Sequence, residues 1–239
     1  WQDVANFMPK GQAYRYNPTY GLGLNGERKA SQYNVYNKPV AMINHTWQIK
    51  HKTSLSSVIY ASIGTGYGSS GQGYNSTYRN LWYGSTDGVL NWKTVESNGV
   101  TYSLRHGNGM YAYDQVQLMN QNSTTGSLMA MSNSVNNHRW FGGISNYKTE
   151  INENLSVTGG IDIRYYYGMH TNEISDLYNG AYFIDSSSRA SSNNQRTFAT
   201  PEAKLAYQNQ KLGVGDVVYR DWDSRIWQEG VYAQADYQM

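Results

Sequence analysis

The feature that most constrains the fold is a strict two-residue alternation of side-chain character. Between Val157 and Gly168 the odd-numbered residues are apolar and end in two tyrosines. The even-numbered residues are polar and include Asp162 and Arg164. Because successive side chains of a strand point to opposite faces, the pattern predicts a β-strand with one apolar and one polar face.

Four other runs indicate strands. The runs Val40–Ile49 and Leu55–Ile63 alternate and predict a hairpin with a turn of about four or five residues. The run His138–Ile151 predicts a second hairpin with the strand that contains Val157–Gly168. The run Trp227–Met239 predicts a fifth strand. Helical periodicity is scarce, and Met110–Asn122 is the one segment that predicts a short helix.

The connections between the hairpins are long. They comprise Gly64–Asn137 and Met169–Ile226, and the leading segment Trp1–Pro39 is also interpreted as a loop. Such loops are uncommon in compact soluble domains. Short turns on one side and long loops on the other are typical of outer-membrane barrels. The predicted fold class is therefore all-β: an antiparallel transmembrane β-barrel segment with long extracellular loops.

In this interpretation one face of each strand contacts lipid and the other faces a wet lumen. Asp162 and Arg164 are predicted to face the lumen, and Trp47 and Tyr165–Tyr167 to lie in aromatic girdles. The charged fraction of only 15% fits, since a lipid-facing charge costs roughly 2–4 kcal/mol near the midplane. Five strands cannot close a barrel, so residues 1–239 are expected to be an internal part of a single, larger β-barrel domain.

Composition excludes several classes of function. The net charge of +2 provides no footprint for nucleic acid, and no apolar run reaches the length of a transmembrane helix. The chain has no cysteine, and its five widely spaced histidines form no zinc pattern. With no nucleophile elbow and no isolated acid–base pair, we expect neither an enzyme nor a cofactor. The segment "GYGSSG", Gly66–Gly71, matches a dinucleotide motif, but no apolar helix follows it, so it is interpreted as a flexible loop.

The first long loop contains candidate ligand-binding residues. Aromatic side chains there alternate with cationic and amide groups, which suit polar ligands through stacking and hydrogen bonding. An alternative is that the aromatic residues pack the loop against itself. The candidates are Tyr74, Arg79, Trp82, Tyr83, Trp92, Arg105 and His106.

Several segments between Tyr36 and Tyr237 together resemble TonB-dependent outer-membrane receptors of the Bacteroidetes. They are "NKPVAMINHTWQIKHKTSLSSVIYASIGTGYG", "MSNSVNNHRWFGGISNY", "MHTNEISDLYNGAYFID" and "KLGVGDVVYRDWDSRIWQEGVYAQADY". The resemblance implies a 22-stranded barrel plugged by an N-terminal domain that this chain does not contain. It also implies nutrient uptake driven by TonB through the missing parts of the chain.

The partners implied are outer-membrane lipid, TonB, an unidentified nutrient ligand and, as an optional subunit, a surface lipoprotein. The implied location is the bacterial outer membrane. Two alternatives stay open: a passive porin, and a surface β module that binds glycans or peptides without energised transport. A soluble, lectin-like sandwich is the weakest alternative.

Overall fold

A computed structural model of the chain describes Met8 and residues 10–82, 85–86, 89–90, 92–191 and 196–238. The fold is mostly antiparallel β, with 56% of residues in strands and 11% in helices. The all-β, antiparallel part of the predicted fold class is therefore confirmed. Among the described residues, no helix is both long enough and apolar enough to span a bilayer.

Twelve strands and three α-helices make up the described fold, after a 3-10 turn at Ala13–Arg15. The first five strands are β1 (Tyr20–Leu22), β2 (Arg28–Ala30), β3 (Asn34–Asn37), β4 (Val40–Lys50) and β5 (Thr53–Gly73). The next four are β6 (Ser85–Thr86), β7 (Val89–Leu90), β8 (Thr94–Ser97) and β9 (Val100–Ser103). The last three are β10 (Met129–Glu150), β11 (Leu155–Asp176) and β12 (Val217–Tyr237). The helices are α1 (Ser76–Asn80), α2 (Tyr113–Gln121) and α3 (Pro201–Gln208).

The five long strands and the short β3 form one six-stranded sheet in the order β12-β11-β10-β5-β3, and β4 also pairs with β5. Both predicted hairpins are present. The turn between β4 and β5 is tighter than predicted, because Lys50 already pairs with Thr53. In the turn between β10 and β11, Asn152 Oδ1 accepts hydrogen bonds from the backbone N–H groups of Asn154 and Leu155, each at 2.9 Å.

The predicted loop boundaries are wrong, because four strands extend beyond their alternating runs. Strand β5 continues to Gly73, β10 begins at Met129, β11 continues to Asp176 and β12 begins at Val217. The motif at Gly66–Gly71 consequently lies inside a strand, and its interpretation as a flexible loop is wrong. The extensions of β5 and β10 are rich in Ser, Gly and Asn, so they are recognisable only from the backbone ladder with neighbouring strands.

The leading segment, predicted to be a loop, contains three short strands, so that prediction is also wrong in part. Strands β1 and β2 form a separate hairpin in which Tyr20 pairs with Ala30. Strand β3 joins the main sheet. These strands are three or four residues long, too short to show a convincing alternation.

The chain divides into two compact units. The first, here called the loop unit, consists of Trp1–Asn34, Gly68–Ser134 and Thr171–Asp221. The second, the sheet unit, consists of Val35–Tyr67, Val135–His170 and Trp222–Met239. The expectation that residues 1–239 are part of one barrel domain stays a prediction.

The loop unit has its own hydrophobic core, built around α2. The predicted helical periodicity is confirmed there, since Tyr113, Val116 and Met119 are all fully buried on one face. The larger cluster contains Leu81, Trp82, Tyr102, Leu104, Tyr111, Tyr113, Val116, Met119, Leu128, Met129, Met131 and Tyr178.

One buried amide fixes this core. Asn120 Nδ2 donates to the carbonyls of Met129 (2.8 Å) and Tyr178 (3.1 Å). Asn120 Oδ1 accepts from the backbone N–H of Leu128 at 2.9 Å. A buried amide with this many partners orients the segments around it, because leaving any of them unpaired costs about 1–3 kcal/mol.

Candidate functional site

One face of the sheet unit is apolar and exposed. Its cross-strand neighbours include Ile43 and Ile59, which are paired in register and are 70% and 64% exposed. Aromatic rings continue the face across the sheet, with ring centroids 5.0 Å apart for Phe141 and Tyr165 and 6.0 Å apart for Tyr165 and Trp227. A groove of about 480 Å³ runs along this face. Side chains of this size are normally buried in a soluble sheet.

The opposite face of the same sheet is polar. Arg164 Nε donates to the hydroxyl of Tyr60 at 3.1 Å, and Arg164 Nη2 lies 3.4 Å from Asp162 Oδ2. The Tyr60 ring also meets Trp140 edge to face at 5.7 Å, and the Arg164 guanidinium lies 5.9 Å from the Trp140 ring centre. Asp162 and Arg164 are two residues apart on β11, so they share this face and interact there, as their spacing predicts. Their assignment to a lumen stays a prediction.

The aromatic candidates of the loop unit differ in their surroundings. Trp82 is 5% exposed and stacks on Tyr111 with ring centroids 5.9 Å apart. Its Nε1 donates to the carbonyl of Gln72 at 2.7 Å. The packing alternative therefore describes Trp82, whereas Trp92 is 46% exposed. Tyr83 lies outside the described residues.

The tyrosines around Trp82 are buried together with it. Desolvation raises the pKa of Tyr111, Tyr113 and Tyr178 far above the ordinary range. Two of these hydroxyls act as hydrogen-bond donors: Tyr111 Oη donates to the carbonyl of Leu81 at 3.0 Å, and Tyr113 Oη donates to the carbonyl of Thr19 at 2.6 Å. The tyrosine-rich composition is explained in part by this core, in which large rings fill volume and their hydroxyls still find partners.

Arg105, another candidate, is a buried structural tie. It is 3% exposed and donates to the Tyr16 hydroxyl (2.8 Å), the Gly109 carbonyl (2.6 Å) and the Pro18 carbonyl (3.1 Å). Desolvation lowers its pKa. It fastens the leading segment to the loop after β9. The neighbouring His106 bonds Asp114 at 2.8 Å, at the start of α2.

Arg79 is the candidate that lines a cavity. Asn75 caps α1 by accepting a hydrogen bond from the Tyr78 N–H at 3.2 Å, and Arg79 then projects from the last turn of the helix. Arg79 Nη1 donates to Ser188 Oγ at 3.1 Å. The cavity has a volume of about 340 Å³. Its lining residues are Ser76, Arg79, Asn80, Ser187, Ser188, Ser191 and Tyr219.

Hydrogen bonds from the backbone of the serine-rich wall to a buried carboxylate hold this wall in place. Asp185, 1% exposed, accepts through Oδ1 from the backbone N–H groups of Ser187 (3.0 Å) and Ser188 (2.7 Å). The N–H of Ser186 donates to the carbonyl of Tyr74 at 3.0 Å. Tyr74, also a candidate, thus contributes backbone structure that joins the two long loops.

Sequence reasoning singled out Arg79 but missed the wall opposite it. The missed residues are Ser187, Ser188, Ser191 and Tyr219, and the serine run at 186–188 is the one local signal. A guanidinium facing hydroxyl, amide and phenol groups is suited to bind a polar or anionic solute. Within the described part of the chain, no three His, Asp or Glu side chains are close enough to hold a metal ion.

Comparisons with known proteins do not identify a relative: no protein-family model, no curated protein and no solved structure matches the chain. The resemblance to TonB-dependent receptors consequently stays a prediction that rests on the four quoted segments. The antiparallel β fold and the cavity at Arg79 stand on the geometry described above.

Proposed function

We propose that this chain is a segment of an outer-membrane receptor-transporter that takes up a nutrient ligand in a TonB-dependent manner. The observation that carries the proposal is the exposed apolar face of the sheet unit, opposite a polar face. In water such a face would be covered by a second layer of structure. In a bilayer, lipid covers it and the polar face borders an aqueous lumen.

The edges of the sheet support the same proposal. Lipid tolerates no open sheet edge, because each unpaired backbone group there costs several kcal/mol. The sheet would therefore be completed by further strands of the same barrel, as in the 22-stranded barrel that the resemblance implies. The aromatic rings of Phe141, Tyr165 and Trp227 would then belong to the belt near the membrane interface.

The loop unit supports a receptor role in particular. Its long segments fold around their own core and hold a polar cavity at Arg79. A receptor that captures a scarce solute needs such a preformed site outside the barrel, whereas a passive porin needs only an open lumen. Energised uptake and the TonB partner rest on the resemblance alone.

Reconstitution into phospholipid vesicles tests the membrane part of the proposal. The full-length protein should resist proteolysis in vesicles within β4, β5, β10, β11 and β12, and its strand content should be retained in lipid. A folded, monomeric, water-soluble protein that leaves lipid untouched would exclude an outer-membrane location.

A second experiment tests the TonB part. The full-length protein should bind the periplasmic domain of TonB in a pull-down, and deletion of its upstream segment should abolish that binding. A protein that inserts into vesicles and conducts ions but never binds TonB would instead be the passive porin.

A further inference from the structure

A second cavity adjoins the one at Arg79 and shares Ser191 with it. Its volume is about 710 Å³, and three cationic residues line it: Arg189, Arg196 and Lys204. Together the two cavities bring four cations to one region of the loop unit. Among the described residues that line them, there is no Asp or Glu. The chain as a whole has 19 basic and 17 acidic residues, so this separation of charge is local.

The position of Arg189 is built into the fold. The residue is 5% exposed, and its Nη1 donates to the carbonyl of Tyr207 (2.7 Å) and to Gln210 Oε1 (2.8 Å). Its Nη2 donates to the carbonyl of Val217 at 2.8 Å. Its Nε donates to the carbonyl of Val218, so the side chain is oriented by acceptors from α3 and β12 of the loop unit.

A second guanidinium contacts the same aromatic ring as Arg189. The Arg189 and Arg196 guanidiniums are 4.1 Å and 5.1 Å from the centre of the same Tyr207 ring. Burial lowers the pKa of Arg189 and the Arg196 charge lowers it further, while Asp185 and Asp216 act in the opposite direction. The two like charges repel each other, and an anion in the cavity would relieve that repulsion.

The remaining walls define the kind of anion. Phe198 packs on Tyr207 with ring centroids 5.1 Å apart, and Pro201 adds a further apolar surface. Across the shared Ser191, the first cavity supplies serine hydroxyls and Arg79. The site therefore combines separated cations with apolar and hydroxyl groups, and the volume of each cavity falls within the roughly 300–1,000 Å³ typical of sites for small organic ligands.

We propose that these two cavities form one binding site for a small organic anion that carries at least two carboxylate or phosphate groups. One group is bound by Arg196 and Lys204, beside the buried Arg189, and the other by Arg79 and the serine hydroxyls. The inference deepens the proposed function, since it names the class of solute that the receptor captures, and it rests on that function only for the step from binding to uptake.

Calorimetric titration of the full-length protein in detergent micelles tests the site. The probes are citrate and pyrophosphate, with sucrose as the uncharged control, at low ionic strength because salt screens exposed charges. At least one of the two anions should bind, and sucrose should not. Arg196→Gln and Lys204→Gln remove exposed cations that would bond the anion and should each weaken binding about tenfold, which corresponds to about 1.4 kcal/mol.

A matched control separates the site from the net charge. Arg28→Gln removes one exposed positive charge from β2, away from both cavities, and should leave affinity unchanged. Failure of both anions to bind would overturn the inference, and so would equal weakening by Arg28→Gln and Arg196→Gln. Arg79→Gln should weaken the binding of whichever anion binds by about as much as Arg196→Gln and Lys204→Gln do, and an unchanged affinity for that anion would overturn the two-cavity site.

Vesicles distinguish a free solute from a lipid headgroup, because both carry phosphate. If anionic phospholipid vesicles compete with pyrophosphate, and citrate does not bind, the site takes a headgroup and the inference of a soluble ligand fails. Binding of citrate to a protein that does not insert into vesicles would reject the membrane proposal but support this site. Insertion without any anion binding would reject this site alone.

Discussion

Placing a charge at Ile161 tests the assignment of the two sheet faces most directly. Ile161 is 47% exposed and lies on the apolar face of β11, next to the groove at Phe141 and Trp227. If lipid covers this face, Ile161→Arg should lower the free energy of unfolding by roughly 2–4 kcal/mol, because the guanidinium must then leave water. If water covers the face instead, a half-exposed site should change by no more than about 0.5 kcal/mol.

The neighbouring residue provides the control. Asp162 lies on the opposite face, where its carboxylate meets Arg164 Nη2 at 3.4 Å and both side chains are about a third exposed. An ion pair of this kind contributes about 0–1 kcal/mol. Asp162→Asn keeps an oxygen acceptor for Arg164, so it should cost much less than Ile161→Arg.

The assay is urea unfolding of the protein in phospholipid vesicles, followed by tryptophan fluorescence. The same pair of variants should be measured for the protein in water if it is soluble there. Equal losses at Ile161 and Asp162 would refute the face assignment. A loss below about 0.5 kcal/mol for Ile161→Arg in vesicles would refute lipid contact at this face.

Three further predictions concern topology, packing and pH. Because the chain has no cysteine, single cysteine variants can be labelled selectively. On intact cells, a membrane-impermeant thiol reagent should modify Thr124→Cys in the loop unit but not Asn152→Cys in the hairpin turn. The reverse labelling pattern would invert the proposed topology. In calorimetric unfolding, Trp82→Ala should lower the free energy of unfolding by about 3–5 kcal/mol, because its ring is buried. The exposed Trp92→Ala should lower it far less. Equal losses would contradict the packing of Trp82. Burial raises the pKa of Asp114, but hydrogen bonds from neighbouring Gln and His side chains outweigh it and hold that pKa below its usual value. The ionised Asp114 should therefore stabilise the fold at neutral pH, and this stabilisation should be lost as the pH falls through the lowered pKa. When the free energy of unfolding is measured against pH, Asp114→Asn should remove this part of the pH dependence.

The strands and their faces were predictable from sequence because they depend on local order. Side chains in an extended backbone alternate with a period of two, so the runs at Val40–Ile49 and Val157–Tyr167 already specify which residues share a face. The hairpin turn at Ile151–Asn154 is similarly local, since Asn152 bonds residues only two and three positions ahead. The helix at Tyr113–Gln121 was predictable from the spacing of Tyr113, Val116 and Met119, which places all three on one helical face.

Strand ends were not predictable in the same way. More than half of the residues in the outer parts of β5 and β10 are Ser, Gly and Asn, which have no strong strand preference of their own. They are extended because neighbouring strands supply backbone hydrogen-bond partners, and that partnership depends on segments far away in the chain.

The different roles of the candidate residues were not predictable from sequence for the same reason. Sequence placed Arg79, Trp82 and Arg105 in one class, as rings and cations in a long loop. Tertiary packing buried Trp82 among tyrosines, tied Arg105 to the leading segment and left Arg79 at a cavity, facing a serine 109 residues away. Side-chain type is a property of one position, whereas burial and the partners of a charge depend on which distant segments meet there, and only the folded chain determines that.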